Sequence, residues 1–172
     1  TSSPVPFVIV TDGAPLEIRR EGELTDVAPT ILELFGIDAP GCMEGRSLLK
    51  SKPQKLTRRL VVLILDGWGH NPETKGNLIA RANTPAMDRL RRLYPFASLA
   101  AAGESVGLPS GTVGNSEAGH LHIGAGRRVW SDRLKIDRAI ESGEFFSNKA
   151  FRNAMAEARK RVSALHLMGI VS

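Results

Sequence analysis

The chain has 172 residues, 42% hydrophobic and 24% charged, the composition of a folded globular protein rather than a disordered or fibrous one. Its 23 Lys and Arg against 18 Asp and Glu leave a net charge of +5, which favours an anionic partner, yet the basic residues are dispersed and bring no recognition motif, so no nucleic acid is expected. Cys42 is the single cysteine, which excludes an intramolecular disulfide and a cysteine-based zinc site. The longest apolar run, residues 60–65, is far short of a membrane span, and Thr1 opens no signal-peptide pattern, so a soluble cytoplasmic protein with no membrane partner is expected.

Residues 5–10 are β-rich, and Pro4 and Pro6 push this strand to a sheet edge or confine its regular part to 7–10. The spacing of Val27, Ile31, Leu34 and Phe35 predicts a helix over 26–35, capped by Thr25, with Pro29 in its first turn and Gly36 ending it. Residues 48–57 are polar, contain Pro53 and lack a hydrophobic period, and the linker is placed at 50–58. Residues 60–65, apolar on both faces and rich in β-branched side chains, predict a buried parallel strand that ends at Asp66-Gly67-Trp68-Gly69. Helices are predicted at 85–94 (Thr84 cap, Pro85 first), at 133–141 and at 148–161 (Ser147 cap), with strands at 97–101 and 164–171. Alternating strands and helices with short connections predict an α/β fold: a layered, mostly parallel sheet flanked by helices.

Two places could carry chemistry. Asp66 is a carboxylate at the end of a predicted strand and next to a glycine, where α/β sheets bind ligands; it can equally cap the following loop. The second is the loop from Gly107 to Ser116, whose glycines at 107, 111 and 114 allow positive φ and close approach of amides to an anion. Ser116 lies where that loop turns into a helix, a position that favours phosphate; the alternative makes Ser116 the N-cap alone. Gly114-Asn115-Ser116-Glu117-Ala118-Gly119 is one residue too long for a hydrolase nucleophile elbow, and no nucleotide P-loop occurs. His120 and His122 would point to different faces of a helix and could not chelate together, and His70 and His166 are isolated and receive no role.

Residues 63–69, Asn77, Ala82 to Pro85, Gly107-Leu108-Pro109, and Gly114 through Ser116 and His120 to Arg127 resemble the amino-terminal part of the cofactor-independent phosphoglycerate mutases, members of the alkaline phosphatase superfamily. Residues 1–49 resemble that family's carboxyl-terminal end through Pro4-Val5-Pro6, Gly22 to Thr30 and Met43 to Leu48. Tail precedes head, and the long middle of the family chain is missing. The resemblance implies a partial alkaline-phosphatase-like phosphatase domain: residues 1–49 the family's tail, 50–58 the linker, 59–131 the amino-terminal part of the phosphatase domain, and 132–172 the start of an incomplete transferase domain.

It also implies 2-phosphoglycerate to 3-phosphoglycerate interconversion through a phosphoserine, with Ser116 the catalytic serine. Asp66 and Ser116 would be ligands of one metal, within a pair of Mn2+ (or Mg2+) ions, with no 2,3-bisphosphoglycerate requirement. No substrate-binding residue is identified. Phosphoglycerate is the expected small-molecule partner, and activity is expected when the missing polypeptide segment is supplied. Association with that segment or with a second copy is expected because the truncated sheet would expose an edge and apolar surface. Two alternatives stand beside this one: a metal-dependent phosphohydrolase, and a catalytically inactive fragment or engineered scaffold.

Overall fold

The computed structural model describes residues 3–13, 16–53, 56 and 58–169. The chain divides into two compact units, Thr1–Ser131 and Asp132–Ser172.

The first unit is built on a three-stranded sheet. Strand β1 (Val5–Val8) pairs antiparallel with the strand at 96–100, setting Val5 opposite Leu99 and Val8 opposite Phe96. Strand β2 (Glu21–Glu23) pairs parallel with the same central strand, Glu21 opposite Ser98 and Glu23 opposite Ala100. Pro6, which has no N–H to give a ladder, sits in an edge strand as expected, although the regular part of that strand is 5–8 rather than 7–10. The sheet therefore joins residues 5–23 to residues 96–100, so both family-like segments share one core. Leu24, Val27, Leu48, Leu99 and Val106 are buried in it.

After β2 the chain makes one 3-10 turn, Leu24–Asp26, and enters helix α1 (Val27–Leu34). The cap position falls on Asp26 rather than Thr25, because the 3-10 turn moves the helix start by one residue. The buried Asp26 carboxylate is a hub: Oδ2 accepts the Glu23 N–H and the Arg19 guanidinium, each at 3.0 Å, and Oδ1 accepts the Arg46 N–H at 2.8 Å. One turn on, Thr30 Oγ1 donates to the Asp26 carbonyl at 2.6 Å and accepts the Leu48 N–H at 2.8 Å. Gly45 lies so close to the Thr25 carbonyl that no Cβ fits there. Leu48 and Leu49, placed by their sequence context at the edge of a linker, are instead buried, and Leu49 bridges to Ile18.

Residues 60–65 depart from expectation. They form no strand, and Val61 is 90% and Leu63 79% exposed. A strand apolar on both faces needs a layer on each side. Here one side of the segment opens on a cavity of about 710 Å3, bounded also by β1 and α1, and residues 60–64 make no backbone hydrogen bond among the described residues. Helices α2 (Leu78–Arg81) and α3 (Pro85–Leu93) follow, with Pro85 opening α3 as predicted. Central strand β3 (Phe96–Ala100) then leads through a 3-10 turn and a loop to α4 (Ser116–Ala125).

The two sequence segments are fastened at the end of α4. The Gly126 carbonyl accepts the Glu44 and Gly45 N–H groups, each at 2.9 Å, and Arg128 Nη2 reaches both Glu23 carboxylate oxygens at 2.6 and 2.8 Å. Gly126, at φ +60°, has Met43 packed where a Cβ would stand.

The second unit contains α5 (Asp132–Glu141) and α6 (Lys149–Lys160), joined through a 3-10 turn, Glu144–Ser147. Asn148 caps α6, accepting from the Ala150 and Phe151 amides; Ser147 does not, because its hydroxyl donates back to the Glu144 carbonyl at 2.9 Å. Phe145 packs against Phe146 and Phe151. Residues 164–169 form no strand, and 170–171 lie outside the described residues.

Candidate active site

Asp66 stands at the apex of a β-turn. The Trp68 N–H donates to the Leu65 carbonyl at 3.1 Å, and Gly67 takes φ +81°, the left-handed value that the third position of a type II turn requires. A side chain at this apex projects from the chain with little backbone around it, and Asp66 is exposed.

The loop before α4 is folded on itself. The Gly103 N–H donates to the Thr112 carbonyl at 2.9 Å, and the Thr112 N–H to Pro109 at 3.0 Å. Gly107, at φ +67°, passes so close to the Val129 carbonyl that a Cβ is excluded. Asn115 caps the helix: its Oδ1 accepts the Ala118 N–H at 2.8 Å, and its carbonyl accepts the Gly119 N–H at 3.0 Å. Asn is among the strongest N-cap residues, and this signal was present in the sequence one position before the serine. Ser116 is therefore the first helical residue rather than the cap. Its side chain is released from capping, and the Ser116 and Glu117 amides are the helix-start donors that Asn115 leaves untaken.

The structure brings the two candidates together. The Ser116 hydroxyl donates to Asp66 Oδ2 at 2.7 Å, across 50 positions of sequence. Both groups are exposed at one end of the 710 Å3 cavity, whose walls include Trp68, Asn115 and His120 beside apolar side chains from α1 and β1.

The histidines divide by role. His122 is fully buried, and Nδ1–H donates to the Ala118 carbonyl at 2.7 Å while Nε2 accepts the Val129 N–H at 3.0 Å. Both nitrogens are used, so His122 is a neutral structural imidazole that ties α4 to the following loop. His120 is exposed, one turn beyond Ser116, with Nδ1–H directed to the Ser116 carbonyl at 2.7 Å. His70, which no pattern in the sequence singled out, packs at the sheet, and its pKa lies below 6.5 through burial first and the neighbouring Arg91 second.

Carboxylate and hydroxyl oxygens are suitable donors for Mg2+ or Mn2+, which favour oxygen-rich six-coordinate sites. Two donors are too few. Among the described residues no group of three or more His, Cys, Asp and Glu stands together to hold a metal ion. The residues present thus fit part of a metal site and not a whole one. No helix among the described residues is long and apolar enough to cross a membrane.

A carboxylate on a turn and a serine opening a helix belong here to a known class: the chain is a member of the Metalloenzyme superfamily, whose family model matches residues 58–167. More particularly, 115 residues are 52% identical to the 2,3-bisphosphoglycerate-independent phosphoglycerate mutase of Methanococcoides burtonii, covering 67% of this chain and 22% of that protein. Over 113 residues the chain is 51% identical to 2,3-bisphosphoglycerate-independent phosphoglycerate mutase 1 of Methanosarcina barkeri and 50% identical to the mutase of Coxiella burnetii, in each case 66% of this chain and 22% of the relative. The matched stretch is a minor part of those enzymes.

Proposed function

We propose that this chain carries the phosphoserine part of a cofactor-independent phosphoglycerate mutase, which interconverts 2- and 3-phosphoglycerate without 2,3-bisphosphoglycerate. The single observation that carries the reading is the 2.7 Å bond from Ser116 to Asp66 at the start of α4. The relatives' shared name supports the reaction, and the superfamily supports use of a divalent metal.

In this reading Ser116 Oγ attacks the phosphorus of the substrate. An Oγ–P bond forms as the glycerate O–P bond breaks, the serine proton is lost and the departing glycerate oxygen gains one; the reverse transfer to the other hydroxyl completes the isomerisation. The work of this chain's residues is to orient and to neutralise. Asp66 fixes the direction of the Ser116 hydroxyl, and the Ser116 and Glu117 amides, with the helix dipole behind them, favour phosphoryl oxygens. Asp66 and Ser116 also supply oxygen donors to one of two divalent ions, Mn2+ or Mg2+, and the remaining ligands come from a polypeptide segment outside this sequence. Residues 1–49 stand for the family's tail, 50–58 for a linker, 59–131 for the opening of its phosphatase domain and 132–172 for the beginning of its transferase domain, all working in a cytoplasmic enzyme.

The test is to supply 2-phosphoglycerate and Mn2+ to the chain, with and without a polypeptide carrying the rest of a relative's sequence. Appearance of 3-phosphoglycerate in the complemented sample alone is expected. Free phosphate in its place would make the protein a phosphohydrolase, and neither product in any sample would make it a catalytically silent scaffold.

A further inference from the structure

The Asp66 side chain is held by the Ser116 hydroxyl at 2.7 Å, and its backbone turn is fastened from one side. Upstream, residues 60–64 have no backbone hydrogen bond among the described residues. Downstream, the His70 N–H donates to the Pro4 carbonyl at 2.7 Å, and the His70 ring meets Phe96 edge to face, centroids 5.4 Å apart and planes at 78°. The backbone of the Asp66 turn is therefore fixed through His70, beside the side-chain bond to Ser116. The aromatic partner is already engaged, since the Arg91 guanidinium lies 4.8 Å from the Phe96 ring centroid.

The charges around His70 are one-sided. Strand β1, Val-Pro-Phe-Val, and strand β3, Phe-Ala-Ser-Leu-Ala, contain no ionisable side chain, and Pro4 presents only a carbonyl. From α3 the group that faces His70 is Arg91, a permanent cation. The carboxylate of α3, Asp88, accepts the Thr84 hydroxyl, and among the described residues the charge recorded as acting on His70 is that of Arg91.

We propose that His70 is a positioning residue for Asp66, a latch that closes when its imidazole is neutral and seated on Phe96 and that opens when the ring is protonated beside Arg91. An imidazolium is itself attracted to an aromatic face, but here it would have to share the ring with Arg91 and give up water. Burial and Arg91 both lower the pKa of seated His70 from 6.5. The linkage then has one sign: seating is fully favoured above pH 6.5 and is lost progressively as the pH falls through the lowered value. The proposal depends on the phosphoserine reading for its consequence in catalysis, and its physical content can be measured without any phosphoryl transfer.

The experiment uses the full chain. The His70 ring is followed by NMR from about pH 5 to 8, its resonances identified as those lost in His70→Asn, while Trp68 fluorescence is read in a Trp130→Phe background; these are the chain's two tryptophans. His70 should titrate below 6.5, Trp68 should change with the same midpoint, Arg91→Met should raise that midpoint, and His70→Phe should leave Trp68 insensitive to pH with unchanged circular dichroism. Should His70→Phe fail to fold, the Arg91→Met shift decides alone. A His70 midpoint at or above 6.5, a midpoint unmoved by Arg91→Met, or a Trp68 response that persists in a folded His70→Phe protein would overturn the latch. The lowered, Arg91-dependent titration with no Ser116 phosphorylation in the complemented enzyme would sink the phosphoserine reading and leave the latch standing.

Discussion

Thr30→Val is an isosteric change at a residue with no exposed surface, and it deletes one hydroxyl that serves two hydrogen bonds. The larger consequence falls on the Leu48 amide. Leu48 is fully buried, and its N–H has Thr30 Oγ1 as its acceptor, 2.8 Å away. Stranding a buried donor costs about 1–3 kcal/mol, and the extra methyl of valine returns less than about 1 kcal/mol of apolar burial. With the lost bond to the Asp26 carbonyl contributing about 0.5–1.5 kcal/mol, a net loss of about 2 kcal/mol follows. Thr30→Ser is the control: it keeps both hydrogen bonds and loses one methyl, about 0.8 kcal/mol. Urea unfolding of the two variants, at equal slope, should place valine below serine by about 1 kcal/mol. A valine variant as stable as the serine variant would refute the claim that this hydroxyl ties residues 43–48 to α1.

Three further outcomes are expected. A double-mutant cycle on Glu23→Ala and Arg128→Ala should give a coupling of about 0.5–1 kcal/mol that declines with salt, since one guanidinium nitrogen reaches both carboxylate oxygens yet the pair is about one-third exposed; zero coupling at low salt would mean that it does not help to join the two segments. Gly45→Ala drives a methyl into the Thr25 carbonyl and should destabilise by about 2 kcal/mol or more, read as a lowered melting temperature, and a neutral effect would show that this crossing has room for a side chain. Asp66→Asn keeps an acceptor for Ser116 and removes the charge, so the complemented enzyme should transfer phosphoryl groups at least about tenfold more slowly, roughly 1.4 kcal/mol, with unchanged unfolding because Asp66 is exposed.

The helices were legible because their apolar spacing and punctuation agree: Pro85 opens α3, Gly36 follows α1, and the predicted spans differ from the observed ones by a residue or two. Cap positions differ by one residue where two capping residues adjoin: the 3-10 turn moves the start of α1 from Thr25 to Asp26, and the Ser147 hydroxyl, engaged with Glu144, leaves α6 to Asn148. The 60–65 strand failed for a different reason. An apolar run states what its side chains prefer, not whether neighbours exist to cover both faces, and here Val61 and Leu63 stay in solvent. The pairing of Asp66 with Ser116 has no local signature, because each residue alone is also a good loop or helix-start residue; the family resemblance and the 50-residue contact join them. His70 left no trace in any period or motif, since its meaning comes from Phe96 and Arg91, more than 20 positions away.

The most direct measurement is the mass of the peptide containing Ser116 after incubation of the chain with Mn2+ and 2-phosphoglycerate, alone and with a polypeptide carrying the rest of a relative's sequence. A phosphoryl group on Ser116 in the complemented sample, and none on the chain by itself, is the predicted result, because Asp66 and Ser116 are too few donors to hold the ion that the transfer needs. Equal phosphorylation in both samples, or a phosphate on another residue of a complemented and active enzyme, would contradict the assignment of Ser116 as the serine of a divided site.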